Sequence, residues 1–280
     1  MPLDRDVLFL VEAGEECSTG VGIGYVVQQH YPAIDAEYCF AEGGNVTRVG
    51  GQVKFAAIQA LEKVSRGIEL TAVGPSGHGA APLAGMAIVE LSKAVAALGS
   101  WRVPFLFNDT RREFFRLVAT VSSPAAARDS FQKNEPRYAS MLHTSISPTI
   151  ITGGYRSNVI PSEAKATLDV RMMPDEDPAA FLAAVQQVIN NPAVTARYTS
   201  NTSRPVPPPA KLDSDAFKVV QSAIARNKGM QCFGIGPAAD LEDAAKGFAA
   251  HSDQERTLEA EIYRFVRFSY EIVYDLARKH

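Results

Sequence analysis

The chain has 280 residues, 46% of them hydrophobic and 21% charged, with a formal net charge of -3. That is globular composition, long enough for one large or two small domains, and the charge balance gives no reason to expect nucleic acid or an anionic membrane as a partner. No uncharged apolar run approaches the roughly 18 residues of a membrane span. Met1-Pro2-Leu3-Asp4-Arg5-Asp6 has no basic-then-apolar leader pattern, so a cytoplasmic location is the default expectation. The three cysteines, Cys17, Cys39 and Cys232, have no metal-ligand spacing and suit a reducing compartment or simply buried thiols.

In chain order, Val7-Leu8-Phe9-Leu10-Val11 reads as a short strand buried on both faces, as in parallel α/β sheets. The acidic loop Glu12-Ala13-Gly14-Glu15-Glu16 follows, then a helical stretch to about His30, then a second short strand from Ala36 to Phe40 ending in Glu42-Gly43-Gly44. Both strands end in carboxylates, and ligand sites in α/β sheets gather at such strand ends. Near residue 65 the character changes. Ile68, Leu70 and Ala72 alternate with Glu69, Thr71 and Val73, as in a half-buried antiparallel strand. After Pro82 the spacing predicts a helix with Ile88, Leu91, Val95 and Leu98 on one face, stopped near Gly99. Residues 101 to 145 read as irregular. Ala164, Ala166, Leu168 and Val170 then alternate with Lys165, Thr167, Asp169 and Arg171, and Asp177-Pro178 caps a helix running to about Asn190. Two strand-plus-helix units with alternating strands describe a small α+β unit, its helices on one sheet face. Pro205-Val206-Pro207-Pro208-Pro209 is a linker signal. Phe217, Val220 and Ile224 mark a further helix, Phe233-Gly234-Ile235-Gly236-Pro237 a short strand and turn, and the last helix begins near Thr257.

Several residues carry chemistry in this frame. Glu15 and Glu16 are adjacent and point in different directions, so one can bind a metal while the other takes a proton from the metal's water. A solvated acidic loop would have the same sequence. Glu42 sits beside two glycines that allow close backbone approach to an ion. His251, in His251-Ser252-Asp253-Gln254-Glu255-Arg256, is a loop histidine beside acidic residues, which suits zinc. His78, in Gly74-Pro75-Ser76-Gly77-His78-Gly79, could donate a hydrogen bond to a developing oxyanion. Asn158 heads Asn158-Val159-Ile160-Pro161. Arg171 could grip a substrate carboxylate in bidentate fashion, or simply lie on a wet sheet face with Lys165 and Asp169 for company.

Together, and in this order, these stretches resemble the aminoacylase/carboxypeptidase family of di-zinc metallopeptidases, the M20 peptidases. The matching stretches are Glu-Glu at 15 and 16, Glu-Gly-Gly at 42 to 44, Gly-Pro-Ser-Gly-His-Gly at 74 to 79, Asn-Val-Ile-Pro at 158 to 161, Leu-Asp-Val-Arg at 168 to 171 with Pro174-Asp175, and His251 with Glu255-Arg256. Glu-Gly-Gly is most similar to the carboxypeptidase S branch. The resemblance implies an α/β fold. Its catalytic domain, with a parallel sheet, would comprise residues 1–66 and 203–280, interrupted by an α+β, ferredoxin-like lid and dimerisation domain at 67–202. Glu15 would be the general base, Glu16 and His251 would bind one zinc and Glu42 the other. His78 would reach into the partner subunit's site, and Asn158 and Arg171 would hold the substrate's carbonyl and carboxylate. The implied reaction is hydrolysis of a peptide or N-acyl amino acid at the amide bond beside a free carboxylate, by a homodimer formed through the lid.

Two departures stand against the family pattern. A His-x-Asp motif and a later bridging aspartate are expected before the Glu-Glu loop, and of five usual metal ligands only Glu16, Glu42 and His251 are present. Arg226-Asn227-Lys228-Gly229 runs straight into Met230-Gln231-Cys232-Phe233, where the family has a strand and a Gly-x-Thr-Asp loop. The expectation is an N-terminally truncated, internally deleted catalytic domain, so that the two-zinc site is incomplete and this chain alone is inactive. The alternative is a non-catalytic dimerisation or amino-acid-binding protein that keeps the lid. The survival of Glu15, Glu16, Glu42, His78 and His251 together favours the enzyme, since an interaction module needs none of them.

Overall fold

The computed structural model describes residues 3–14, 20–50, 52–118, 139–199, 206, 209–226, 239–240, 243, 246 and 256–278. The chain divides into two compact units, Met1–Ala60 with Ala210–His280, and Leu61–Pro209.

The first unit opens with α1 (Ile23–Ile34), bent at His30, whose φ of -136° leaves the helical range two residues before Pro32. A proline within a helix removes a backbone donor and crowds the preceding turn, which accounts for the bend. Strands β1 (Asn45–Val49) and β2 (Gln52–Ala57) form an antiparallel ladder.

The second unit contains β3 (Val64–Ser65), β4 (Ile68–Val73), β5 (Gly77–His78), α2 (Ala87–Ser100), α3 (Asp109–Val118), β6 (Ser145–Gly153), β7 (Val159–Ile160), β8 (Glu163–Met172), α4 (Pro178–Ile189) and β9 (Val194–Tyr198). The first unit resumes with α5 (Asp215–Arg226), β10 (Ala239–Asp240) and α6 (Glu259–Ala277). Backbone pairing sets β10 parallel to β1, so the first unit's three-stranded sheet, ordered β10-β1-β2, is mixed.

The sheet of the second unit is antiparallel throughout, in the order β6-β8-β4-β9. β3 prolongs β4 along the same edge of β8, keeping its register: Val64 faces Met172 as Ile68 faces Leu168. The run β4-α2-β6-β8-α4-β9 in this order is the ferredoxin-like arrangement. Its cause is visible in the alternation. Ile68, Leu70, Ala72, Ala164, Ala166, Leu168 and Val170 are all buried on one face, against Leu91 and Leu98 of α2 and Phe181, Val185 and Ile189 of α4. Full burial of each large aliphatic side chain contributes about 1.5–3 kcal/mol. Asp177 caps α4 by accepting the Ala180 N–H at 2.7 Å, Pro178 occupies the first turn, and Asn190 closes the helix in the left-handed region at φ 45°. The two ends of the sheet meet: Ile68 pairs with Tyr198, and the Thr199 N–H donates to the Gly67 carbonyl at 2.9 Å. In the first unit, the Ala210 N–H likewise donates to the Ala60 carbonyl at 2.8 Å. Its core is Val220 and Ala223 of α5 against Phe268 and Ile272 of α6, with Ile58, Val219, Ile224 and Phe265 packed around them.

Several sequence expectations need correction. Val7–Val11 and Ala36–Phe40 are not strands, and the first run is exposed, Phe9 at 91%. A short apolar run signals burial only if neighbouring strands flank it, and none pairs with either segment among the described residues. The parallel sheet expected to begin with these two segments is therefore represented, among the described residues, only by the β1–β10 pair. In α2 the buried stripe is Ala87, Leu91, Ala94 and Leu98, while Ile88 is 41% exposed. The stretch read as irregular contains α3. The expected strand at Phe233–Pro237 lies outside the described residues.

Candidate functional site

β4 ends at Val73, and the chain leaves the sheet at Gly74, whose N–H donates to the Ser162 carbonyl at 2.9 Å. A Cβ on Gly74 would fall 2.2 Å from the Gly85 carbonyl oxygen, so only glycine allows the two backbones to pass here. The chain then pairs β5 with β7, setting Gly77 opposite Ile160 and His78 opposite Val159. Beyond it the Gly79 N–H donates to the Asn158 carbonyl at 2.8 Å. His78 and Asn158, far apart in sequence, are thereby held side by side at one end of the second unit, both exposed.

The imidazole of His78 is oriented by its own loop. The Ala80 N–H donates to His78 Nδ1 at 3.1 Å, and the Ala81 N–H to the His78 carbonyl at 2.9 Å. Because Nδ1 accepts, the proton of the neutral ring sits on Nε2, which is then a donor. An exposed Nε2–H donor beside an asparagine can stabilise negative charge developing on a carbonyl oxygen.

Arg171 is not part of this group. It lies at the opposite end of β8, opposite Ser65 and Ser145, with Nε donating to Asp169 Oδ2 at 3.1 Å. From Glu163, beside the His78 end, β8 advances about 3.3 Å per residue, so Arg171 is on the order of 26 Å away. Glu42 lies in the first unit, exposed, beside Gly43 at φ 142° and Gly44 at φ 63°. The Gly44 N–H donates to Gln59 Oε1 at 3.2 Å, and a Cβ on Gly43 would meet that same oxygen at 2.7 Å, so both glycines serve the packing of this loop on Gln59. Glu15, Glu16 and His251 lie outside the described residues. Arg256, at the end of the His251 motif, is held by Asp243 through Nη2 at 2.7 Å and Nε at 3.3 Å, and this guanidinium keeps the Asp243 carboxyl below its usual range. Among the described residues no three His, Cys, Asp or Glu side chains gather as a metal would require, so these residues do not of themselves fit a zinc site.

Sequence reasoning missed a set of charged groups at the Arg171 end. Lys63 is half-buried, and burial first, then the positive charges of Arg111 and Arg171, push its pKa down to about 8. Arg111 is buried and pairs with Asp175 at 2.5 Å. Glu176 accepts from the buried Thr144 hydroxyl, and burial raises its pKa although that hydrogen bond opposes the rise. Nothing in the sequence separates Arg111 from its exposed neighbour Arg112.

Residues 62–197 match the peptidase dimerisation domain of the M20 type. The chain is also similar to two curated proteins. It is 28% identical over 180 residues to a Dictyostelium discoideum protein described as "Probable carboxypeptidase S-like 2", covering 60% of this chain and 34% of that protein. It is 25% identical over 222 residues to an N-fatty-acyl-amino acid synthase/hydrolase of Xenopus tropicalis, covering 74% of this chain and 41% of that one. The matched part of the chain thus spans 34% to 41% of the length of these curated relatives. Among solved structures, an M20 family metallo-carboxypeptidase from Sulfolobus solfataricus superposes with a TM-score of 0.53 at 14% identity, over 90% of this chain and 66% of that one. Human carnosine dipeptidase 1 gives a TM-score of 0.53 at 13% identity, over 92% and 64%. These likenesses show a mixed α/β fold shared with M20 peptidases.

Proposed function

We propose that this chain belongs to a metal-dependent hydrolase, an exopeptidase or N-acyl-amino-acid amidohydrolase, that cleaves an amide bond beside a free carboxylate. The observation that carries the reading is the hydrogen bond from the Ala80 N–H to His78 Nδ1, beside Asn158. It presets an Nε2–H donor on an exposed loop, an arrangement suited to a tetrahedral oxyanion. Loss of one such donor costs about 100- to 1,000-fold in rate. The two relatives, a probable carboxypeptidase S-like protein and an N-fatty-acyl-amino acid synthase/hydrolase, support the same class.

In this proposal residues 1–66 and 203–280 are the catalytic part and 67–202 the lid. Glu15 accepts the proton of the attacking water, Asn158 holds the substrate carbonyl with His78, and Arg171 grips the terminal carboxylate. His78 and Arg171 stand too far apart in one chain for one small substrate to touch both, which supports a homodimer in which each copy completes the other's site. β6 suits that contact: among the described residues it pairs on one side only, with Ile150 and Ile151 each 58% exposed. Glu16, Glu42 and His251 are proposed as zinc ligands. Three ligands divided between two zincs hold metal weakly, so the 280-residue chain is proposed to be impaired as a catalyst by itself.

Zinc content and hydrolysis of N-acyl amino acids and dipeptides, measured on the purified 280-residue chain, test this. The expected result is less than stoichiometric zinc, reduced further in Glu16→Ala, Glu42→Ala and His251→Ala, with slow or no turnover. Zinc content unchanged in all three variants would overturn the ligand assignment. Robust turnover abolished by Glu15→Gln would keep the reaction and overturn the impairment.

A further inference from the structure

The Arg171 end of the sheet in the second unit carries more positive charge than its ion pairs use. Arg111 is 4% exposed, and its Nη2 donates to Asp175 Oδ2 at 2.5 Å. Its Nε and Nη1 are buried with no hydrogen-bond acceptor among the described residues. A buried donor left without an acceptor costs about 1–3 kcal/mol, more when charged. Lys63 stands nearby. Its Nζ reaches only the Ser145 hydroxyl, at 3.4 Å, and no carboxylate lies within ion-pair range of it among the described residues. Ser145 and Ser65 both lie opposite Arg171 in the ladders, and residues opposed in this way share a sheet face. The backbone closes the circuit: Thr144 precedes Ser145, its hydroxyl accepts the Met173 N–H at 2.8 Å, and Asp175, the partner of Arg111, follows two residues later.

We propose that Lys63 and Arg111, with the Ser145 hydroxyl between strand and loop, form a binding site for a small oxyanion at this end of the sheet. The two nitrogens of Arg111 that lack acceptors and the ammonium of Lys63 are charge-assisted donors of the kind that a carboxylate or phosphate oxygen pair takes. Asp175 and Asp169 are committed to Arg111 and Arg171 and leave Lys63 uncompensated. An anion here relieves the mutual repulsion of the three cations and satisfies the buried guanidinium in one step. The depressed pKa of Lys63, set first by burial and then by the charges of Arg111 and Arg171, agrees with this excess of positive charge. The site is separate from the His78–Asn158 pair but adjoins Arg171, to which the proposed function gives the substrate carboxylate, and its test requires neither metal nor turnover.

Isothermal titration of the purified 280-residue chain at fixed ionic strength in chloride, with sodium acetate and separately with sodium phosphate, tests the site. Saturable binding on the order of millimolar is expected for at least one of them. Tighter acetate binding assigns the site to carboxylates, and tighter phosphate binding assigns it to phosphates. Lys63→Gln should weaken binding at least tenfold. Arg111→Lys, which keeps the charge and loses the fork of donors, should weaken it at least fivefold, and if that variant does not fold, Lys63→Gln decides. Lys165→Gln, on the same sheet face but ion-paired with Glu69 at 3.5 Å, should bind as the parent does. No saturable binding of either anion, or equal binding by Lys63→Gln and the parent chain, would overturn the proposal.

Discussion

The Ala80 N–H and His78 Nδ1 are 3.1 Å apart, and that single hydrogen bond fixes which ring nitrogen of His78 faces outward as a donor. Nitrogen-detected long-range NMR correlations of the neutral ring should show the proton on Nε2. Ala80→Pro, which has no N–H to give, should release the preference and let both tautomers appear. A parent chain already in the Nδ1–H form would remove the orienting role of this loop.

Gly74→Ala should destabilise the second unit by about 1–3 kcal/mol, the usual cost of forcing atoms into a filled space. The added Cβ meets backbone, at 2.2 Å from the Gly85 carbonyl oxygen and 2.8 Å from the Ala87 nitrogen, so no side-chain rotation can make room. Thermal or urea unfolding of the variant beside the parent measures this. Equal midpoints would mean that the Gly74 and Gly85 backbones separate easily.

Lys63 gives the stability a distinctive dependence on pH. Its folded pKa is pushed down to about 8 from the ordinary 10.5, so between these values the unfolded chain holds a proton that the folded chain lacks. Stability attributable to this group therefore rises as the pH climbs from about 8 towards 10.5, and the penalty of the buried charge is fully present below 8. Burial is the first cause of the shift, followed by the positive charges of Arg111 and Arg171, with the Ser145 hydroxyl as the hydrogen-bond partner. Lys63→Met should be more stable than the parent near pH 7 and should lose the rise. Urea midpoints measured from pH 7 to 10.5 check it, and parallel curves for the two proteins would contradict the assignment.

If β6 is the contact between copies, Ile151→Asp should shift the chain from dimer to monomer at micromolar concentration in light scattering. A carboxylate placed where two exposed strand edges would meet loses its water without a partner. Lys165→Gln, on the neighbouring strand, serves as the control. A dimer that persists in Ile151→Asp would place the contact elsewhere.

The second unit was largely legible because its sheet has one dry and one wet face. In β8 the buried Ala164, Ala166, Leu168 and Val170 alternate with residues that stay partly exposed, a pattern any reader of the sequence can count. Asp177-Pro178 likewise announces the start of α4. Size misled the reading of α2: Ile88 attracts attention as a large apolar residue, but Ala87 and Ala94 fit the close helix–sheet contact and are the ones buried. At Val7–Val11 the run of apolar residues predicts a strand, but no strand pairs with it among the described residues, and the partner is what decides. The closeness of His78 and Asn158 rests on two-residue strands, β5 and β7, too short for periodicity, and only the resemblance to M20 peptidases had grouped them. Lys63 and Arg111 left no signal, because their meeting depends on where α3 and β3 fall in space.

The meeting of Gly67 with Thr199, and of Ala60 with Ala210, makes the second unit a detachable part. To the chain on either side, everything from Leu61 to Pro209 is a loop whose two feet already stand together, and closing such a loop adds only a logarithmic entropy term however long it grows. A short flexible link between Ala60 and Ala210 could replace it without stretching the backbone, and the excised piece could be re-cut with new termini inside an exposed turn while its old ends were joined. A protein built this way can exchange its insert as a graft, independently of the sequence that carries it.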